Sequence, residues 1–182
     1  MACAFVVSSS RVIFNGISFT NFIQPSVIIE DSDVEFLDCN STGNQQFVSA
    51  SDGSTVIFNK GSISLGELAT GLVMNDSSLL VSGSPVLTST SVKSDAFFVA
   101  DRTSNITLDK HDVQSNSSLE VGIVSSTLVL RAQMNSTVSC NPTWSTNGRA
   151  ILATNSVLTN NIAKTPFLGG ISVDLSSNVI TN

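Results

Sequence analysis

Apolar residues along this chain fall at alternate positions, in short runs that recur at a near-constant interval. The small polar residue in front of each run serves as an anchor: Ser10, Ser32, Ser54, Ser77, Ser104, Ser126, Asn155 and Ser177. The intervals between anchors are 22, 22, 23, 27, 22, 29 and 22 residues. Two positions beyond the anchors stand Val12, Val34, Val56, Leu79, Ile106, Leu128, Val157 and Val179, all aliphatic. Four beyond stand Phe14, Phe36, Phe58, Val81, Leu108, Leu130, Thr159 and Thr181, of which six are large and apolar. A period of two inside a repeat marks a strand with one face turned to a core. Agreement between repeats marks strands stacked in register. A second apolar run precedes many anchors, as in Phe5-Val6-Val7, Val27-Ile28-Ile29 and Ala150-Ile151-Leu152. Small polar residues such as Ser8-Ser9 and Glu30-Asp31 separate the two runs and suit a turn.

A repeat of about 22 residues with several short strands and no helical segment predicts an all-β fold. The expected architecture is a right-handed parallel β-helix, a solenoid of about eight coils of ~22 residues, spanning 1–182 as a single domain. The longer intervals read as loop insertions. One lies around Ser82-Gly83-Ser84-Pro85, the other around Cys140-Asn141-Pro142-Thr143-Trp144. Trp144, the one tryptophan, is the loop binding candidate, because solenoids carry function on such insertions. The chain begins in a strand run and stops within a coil, so the expectation is a segment of a longer solenoid.

Composition agrees and narrows the function classes. Charged residues make up 12% of the 182, half the usual share, and Val, Ile, Phe and Thr favour strand. The net charge is −6 and the eight Lys and Arg are scattered, which argues against nucleic acid and anionic membranes as partners. No run approaches the ~20 apolar residues of a membrane-crossing helix, and the N-terminus lacks the basic region of a signal peptide. Cys3, Cys39 and Cys140 have no metal-ligand spacing and read as small core residues. No metal or cofactor is expected. Five Asn-x-Ser/Thr sequons are close to the roughly four that composition alone gives, so they carry no information.

Five positions beyond the anchors stand Asn15, Asn59, Asn160 and Asn182, with Asp109 in another repeat, and Phe14, Phe36 and Phe58 align in successive coils. On these residues the chain resembles the pectate-lyase-like right-handed β-helix superfamily, over nearly its whole length. A stacked asparagine turn is known there. The resemblance is to a fold and does not by itself give a function.

Sugar-cleaving β-helix enzymes need carboxylates on an outward strand face. Alternation puts Asp31, Asp33 and Glu35 on one such face, with Ser32, Val34 and Phe36 inward. Arg11 should stack beside Asp33, and Ile13 and Ile57 beside Glu35. An Arg so placed favours a salt bridge over acid catalysis. His111, in Asp109-Lys110-His111-Asp112, reads as part of a solvated turn.

Three positions beyond the anchors stand Ile13, Glu35, Ile57, Leu80, Thr107, Val129, Leu158 and Ile180. Flanked by inward positions, this row should face outward. The six aliphatic members (Ile13, Ile57, Leu80, Val129, Leu158 and Ile180) are interface candidates, because exposed aliphatic stripes mark contacts. The expected partners are sister chains in a homotrimeric fibre or other parts of a larger molecule, with glycans as a further class. The leading reading is a structural or adhesive solenoid segment of an extracellular, cell-surface or virion fibre protein. The alternative is a polysaccharide-active enzyme, lyase or glycoside hydrolase, or a glycan-binding remnant of one.

Overall fold

The computed structural model describes residues 3–83, 85–89, 96–108, 128–140, 149–161 and 167–182. Among them there is no helix, and all strand pairs are parallel. The first sheet stacks eight strands: β1 (Phe5–Ser8), β4 (Val27–Glu30), β7 (Gln46–Ser51), β10 (Thr70–Asn75), β13 (Ala96–Asp101), β15 (Leu128–Ala132), β17 (Arg149–Leu152) and β19 (Ile171–Val173). The second also stacks eight: β2 (Arg11–Asn15), β5 (Asp33–Leu37), β8 (Thr55–Asn59), β11 (Ser78–Ser82), β14 (Asn105–Leu108), β16 (Thr137–Cys140), β18 (Val157–Asn160) and β20 (Asn178–Thr181). The third holds four described strands: β3 (Ser18–Thr20), β6 (Asn40–Thr42), β9 (Ser62–Leu65) and β12 (Val86–Ser89). This is a parallel β-solenoid, as the repeat predicted.

The register follows the apolar pattern. Val12, Val34, Val56, Leu79 and Ile106 pair in one row, and Phe14, Phe36, Phe58, Val81 and Leu108 in another. Phenylalanine fills the first coils. Phe14 and Phe36 stack with centroids 5.2 Å apart, and Phe36 lies 5.1 Å from Phe47. Phe19, Phe36, Phe47 and Phe58 are fully buried. Burying rings of this size supplies most of the apolar area that drives the fold there.

The anchor serines work at the corner between the first two sheets. Ser32, Ser54, Ser77, Ser104, Ser136, Ser156 and Ser177 are all buried. The Ser32 hydroxyl donates to Glu30 O at 2.7 Å and accepts from Ser10 N at 3.0 Å. Ser77 N donates to Ser104 Oγ at 3.1 Å, and Ser156 N to Ser177 Oγ at 3.0 Å. One small side chain thus satisfies a turn carbonyl and the amide of the adjacent coil, which a buried corner requires. The one or two residues before each anchor turn the chain with positive φ: Ser9, Asp31 and Asp76 singly, and Asp52-Gly53, Arg102-Thr103, Met134-Asn135 and Thr154-Asn155 in pairs.

The expected phase fails in two places. The strand after Ser126, β15, belongs to the first sheet, and the strand that continues the second is β16, anchored by Ser136. Near Asn155 the expectation is off by one residue. Asn155 is a left-handed turn residue, Ser156 is the anchor, and Leu158 pairs with Val138 on the inward row. Adjacent aliphatics, Val157 and Leu158, fit either phase. The stacked asparagine turn is also not formed. Leu37 lies between Asn15 and Asn59, and Asn160 takes the inward position beside Cys140 and Thr181.

Candidate functional site

The outer face of the second sheet carries a shallow groove lined by Arg11, Val12, Ile13, Asp33, Val34, Glu35, Thr55 and Ile57. Strand alternation builds it. On β5, Val34 and Phe36 are buried, so Asp33 and Glu35 point out. Asp33 pairs in register with Arg11 and Thr55, and Glu35 with Ile13 and Ile57, as the spacing predicted. Asp33 is exposed and Glu35 half-buried. Their Cα atoms are about 6.6 Å apart along the strand. The expected salt bridge is not made: among the described residues Arg11 forms no ion pair with Asp33.

Asp31 stands apart from that pair. It is the left-handed turn residue at the corner, φ 47°, and its Oδ2 accepts from Ser9 Oγ at 3.1 Å. It lines a second depression with Ser9, Ser10, Arg11, Ser32, Asp33 and Gly53. Asp33 and Arg11 therefore belong to both depressions. The arrangement can bind cationic or hydroxyl-bearing groups.

The expected aliphatic row divides. Ile13 is 57% exposed, Ile57 and Leu80 are half-buried, and Ile180 is 46% exposed. Leu158 is fully buried, because its phase was one residue off, and it leaves the row. Val129 lies on β15 in the first sheet, outside the row, and its side chain is not among those described. The outward positions of coils five to seven hold Thr107, Ser139 and Thr159. What remains contiguous is Ile13, Ile57 and Leu80, with Glu35 among them, while Ile180 keeps the outward position alone at β20. Trp144 and His111 lie outside the described residues.

Two features escaped the sequence reading. The first sheet has its own outward row, with Val6 at 64% exposure, Ile28 and Val73 half-buried, and Val99 buried with Ala96 against Val73 and Ile151. The all-apolar runs Phe5-Val6-Val7 and Val27-Ile28-Ile29 carried that signal. The corner turns also collect acids, since Asp31, Asp52 and Asp76 stand at equivalent positions in successive coils. Reading the residues just before the anchors would have found them.

Of the two cysteines whose burial is described, Cys39 is a core residue and Cys3 is not. Cys39 is fully buried, with its thiol donating to Phe14 O at 3.3 Å. Burial pushes that thiol's pKa up, away from a nucleophile's. Cys3 is half-buried. Comparisons with protein-family models, with curated proteins and with solved structures gave no match for this chain.

Proposed function

We propose that this chain is a structural or adhesive solenoid segment whose work is rigid display of a binding surface. The carrying observation is the outward row Ile13, Ile57 and Leu80, interrupted by Glu35 and partly open on a continuous parallel sheet. A solenoid ladder holds side chains at fixed spacing along a stiff axis, which suits repeated contact. An exposed aliphatic row is costly in water unless something covers it part of the time. An extracellular, cell-surface or virion setting fits a fold with few charges and small polar faces. The coil layout supports the pectate-lyase-like likeness only as a way of winding the chain.

A second reading is kept by one observation: Asp33 and Glu35 share a groove with Arg11. That is a carboxylate pair with a basic group at hand, the minimum for a polysaccharide lyase or hydrolase. One experiment separates the two. The protein is offered acidic and neutral polysaccharides, and product release is followed by reducing ends and by absorbance of unsaturated sugars. Beads coated with the protein are tested in parallel for retention on the same polymers and on cells. The display reading expects retention without product, and loss of retention in Ile13→Asp/Ile57→Asp. Product release that falls in Asp33→Asn would replace it with the enzyme reading.

A further inference from the structure

The outward aliphatic row does not stand alone. Parallel to it, along the corner between the first two sheets, runs an acidic ridge. Glu30, Asp31, Asp52, Asp76 and Asp101 lie in two adjoining files at the turns, and Asp33 and Glu35 lie beside them on the second sheet. These are seven of the fourteen acidic residues of the chain. Arg11 and Arg102 are the bases among them. Asp31, Asp52 and Asp76 are all exposed, and successive coils bring like charges to the ~4.8 Å spacing of stacked strands. Such a column repels itself. The side-chain bonds it makes are to hydroxyls, Ser9 to Asp31, Ser51 to Asp52 and Thr103 to Asp76, and with Arg11 and Arg102 as the bases beside seven acids the face stays net negative.

We infer that this composite face docks a basic amphipathic α-helix of a partner protein, lying along the rod axis. The inference rests on the display reading above and names the partner. Three arguments converge. An α-helix rises 5.4 Å per turn, close to the ~4.8 Å between coils, so one side chain per turn meets one coil. Its apolar stripe would cover Ile13, Ile57 and Leu80, and lysines or arginines on one flank would reach Asp31, Asp52 and Asp76. Glu35, within the apolar row, takes a cation from the middle of the helix. A second copy of this chain fits worse, because it would bring its own ridge and a net charge of −6 against the first.

The test uses the whole chain and a labelled peptide of about 18 residues, five helical turns. The peptide is built of Leu and Lys with leucines on one face, and its control has the same composition in shuffled order. Binding is read by fluorescence anisotropy at low and physiological salt. The amphipathic peptide should bind at least about tenfold tighter than the shuffled one. Ile13→Thr/Ile57→Thr, which keeps strand-forming residues, should abolish that preference. Asp31→Asn/Asp52→Asn/Asp76→Asn, which keeps residues tolerant of left-handed turns, should weaken both peptides and flatten the salt dependence. Asp38→Asn, on another corner, should change neither. Equal binding of the two peptides overturns the proposal, and so does a loss in Asp38→Asn as large as in the triple variant. Light scattering that finds a dimer dissolved by Ile13→Thr/Ile57→Thr also overturns it, in favour of a second copy. Failure here with bead retention intact would leave the display reading standing without this partner.

Discussion

The first four coils and the later ones are wound on the same plan and filled differently. In the early coils the inward row of the second sheet holds Phe14, Phe36 and Phe58. In the later ones it holds Leu108 and, at β18, Asn160, which is 3% exposed with its Oδ1 unpartnered. In the first sheet the corresponding inward row runs Ile29, Ala50 and Met74 and continues as Ala100, Ala132 and Leu152, so the contrast there is smaller. The corners differ too. Early turns pass through one left-handed residue, Ser9, Asp31 or Asp76, or through Asp52-Gly53. Later turns pass through two non-glycine residues, Arg102-Thr103, Met134-Asn135 and Thr154-Asn155. Left-handed backbone is strained for a β-branched residue. The lesson is that a shared ladder fixes the path of the chain while its contents set local stability, as expected where each coil touches only its neighbours. The open groove, the aliphatic row and most of the acidic ridge lie on the better-filled half.

The sharpest way to break this comparison is to empty both cores. Phe36→Ala, at the centre of the aromatic stack, should cost about 4 kcal/mol in urea unfolding. Leu152→Ala should cost about 2 kcal/mol, because its neighbours in register are Ala132 and the exposed Val173, and the site can collapse. Equal costs would show that the halves do not differ. Next in size, Asn160→Leu should raise stability by about 1–2 kcal/mol by removing an unpartnered buried carbonyl. A loss there would mean that the amide has a structural task. Smaller again, Thr154→Gly should stabilise by about 1 kcal/mol, since glycine takes φ 55° without strain. Asp76→Gly should give little by comparison, because aspartate tolerates that region.

The smallest effect belongs to the last turn. Asp174 accepts from Thr154 N at 2.7 Å and from Ser176 N at 3.0 Å. The Thr154 amide first, then the Ser177 and Ser176 hydroxyls, lower its pKa from the ordinary 3.8 to about 2, with a smaller share from the Ser176 amide. A depressed carboxylate contributes its stability above the unfolded value and loses it as pH falls through the folded one. The clamp should therefore hold unchanged down to about pH 4 and release toward pH 2. Hydrogen exchange at the Thr154 and Ser176 amides should quicken over that range, and Asp174→Asn should quicken it at neutral pH. No change in Asp174→Asn would remove the clamp from the account.

The fold was legible because the early coils repeat almost without interruption. Val12, Val34 and Val56, and Phe14, Phe36 and Phe58, recur at 22 residues and sit where that interval put them. The later phase was not legible, for a physical reason. The first-sheet strand after Ser126 and the second-sheet strand after Ser136 both read Ser-Thr-aliphatic, so the choice of Ser126 as the anchor could be corrected only by the pairing. At Val157-Leu158 two aliphatics in a row erased the alternation that fixes which face turns in. The groove was legible in part. Asp33, Glu35 and their neighbours followed from alternation and register. The acidic ridge was not seen, because its column Asp31, Asp52 and Asp76 is spaced 21 and 24 residues apart in sequence and meets only when coils stack.

Native-state hydrogen exchange, read strand by strand, tests the central claim most directly. The account predicts that β4, β5, β7, β8 and β10 exchange slowest and together, as one rigid block behind the open face. It predicts that β17 to β20 exchange faster and separately from them. Uniform protection along the rod, or slower exchange in β17 to β20 than in β5 and β8, would contradict it.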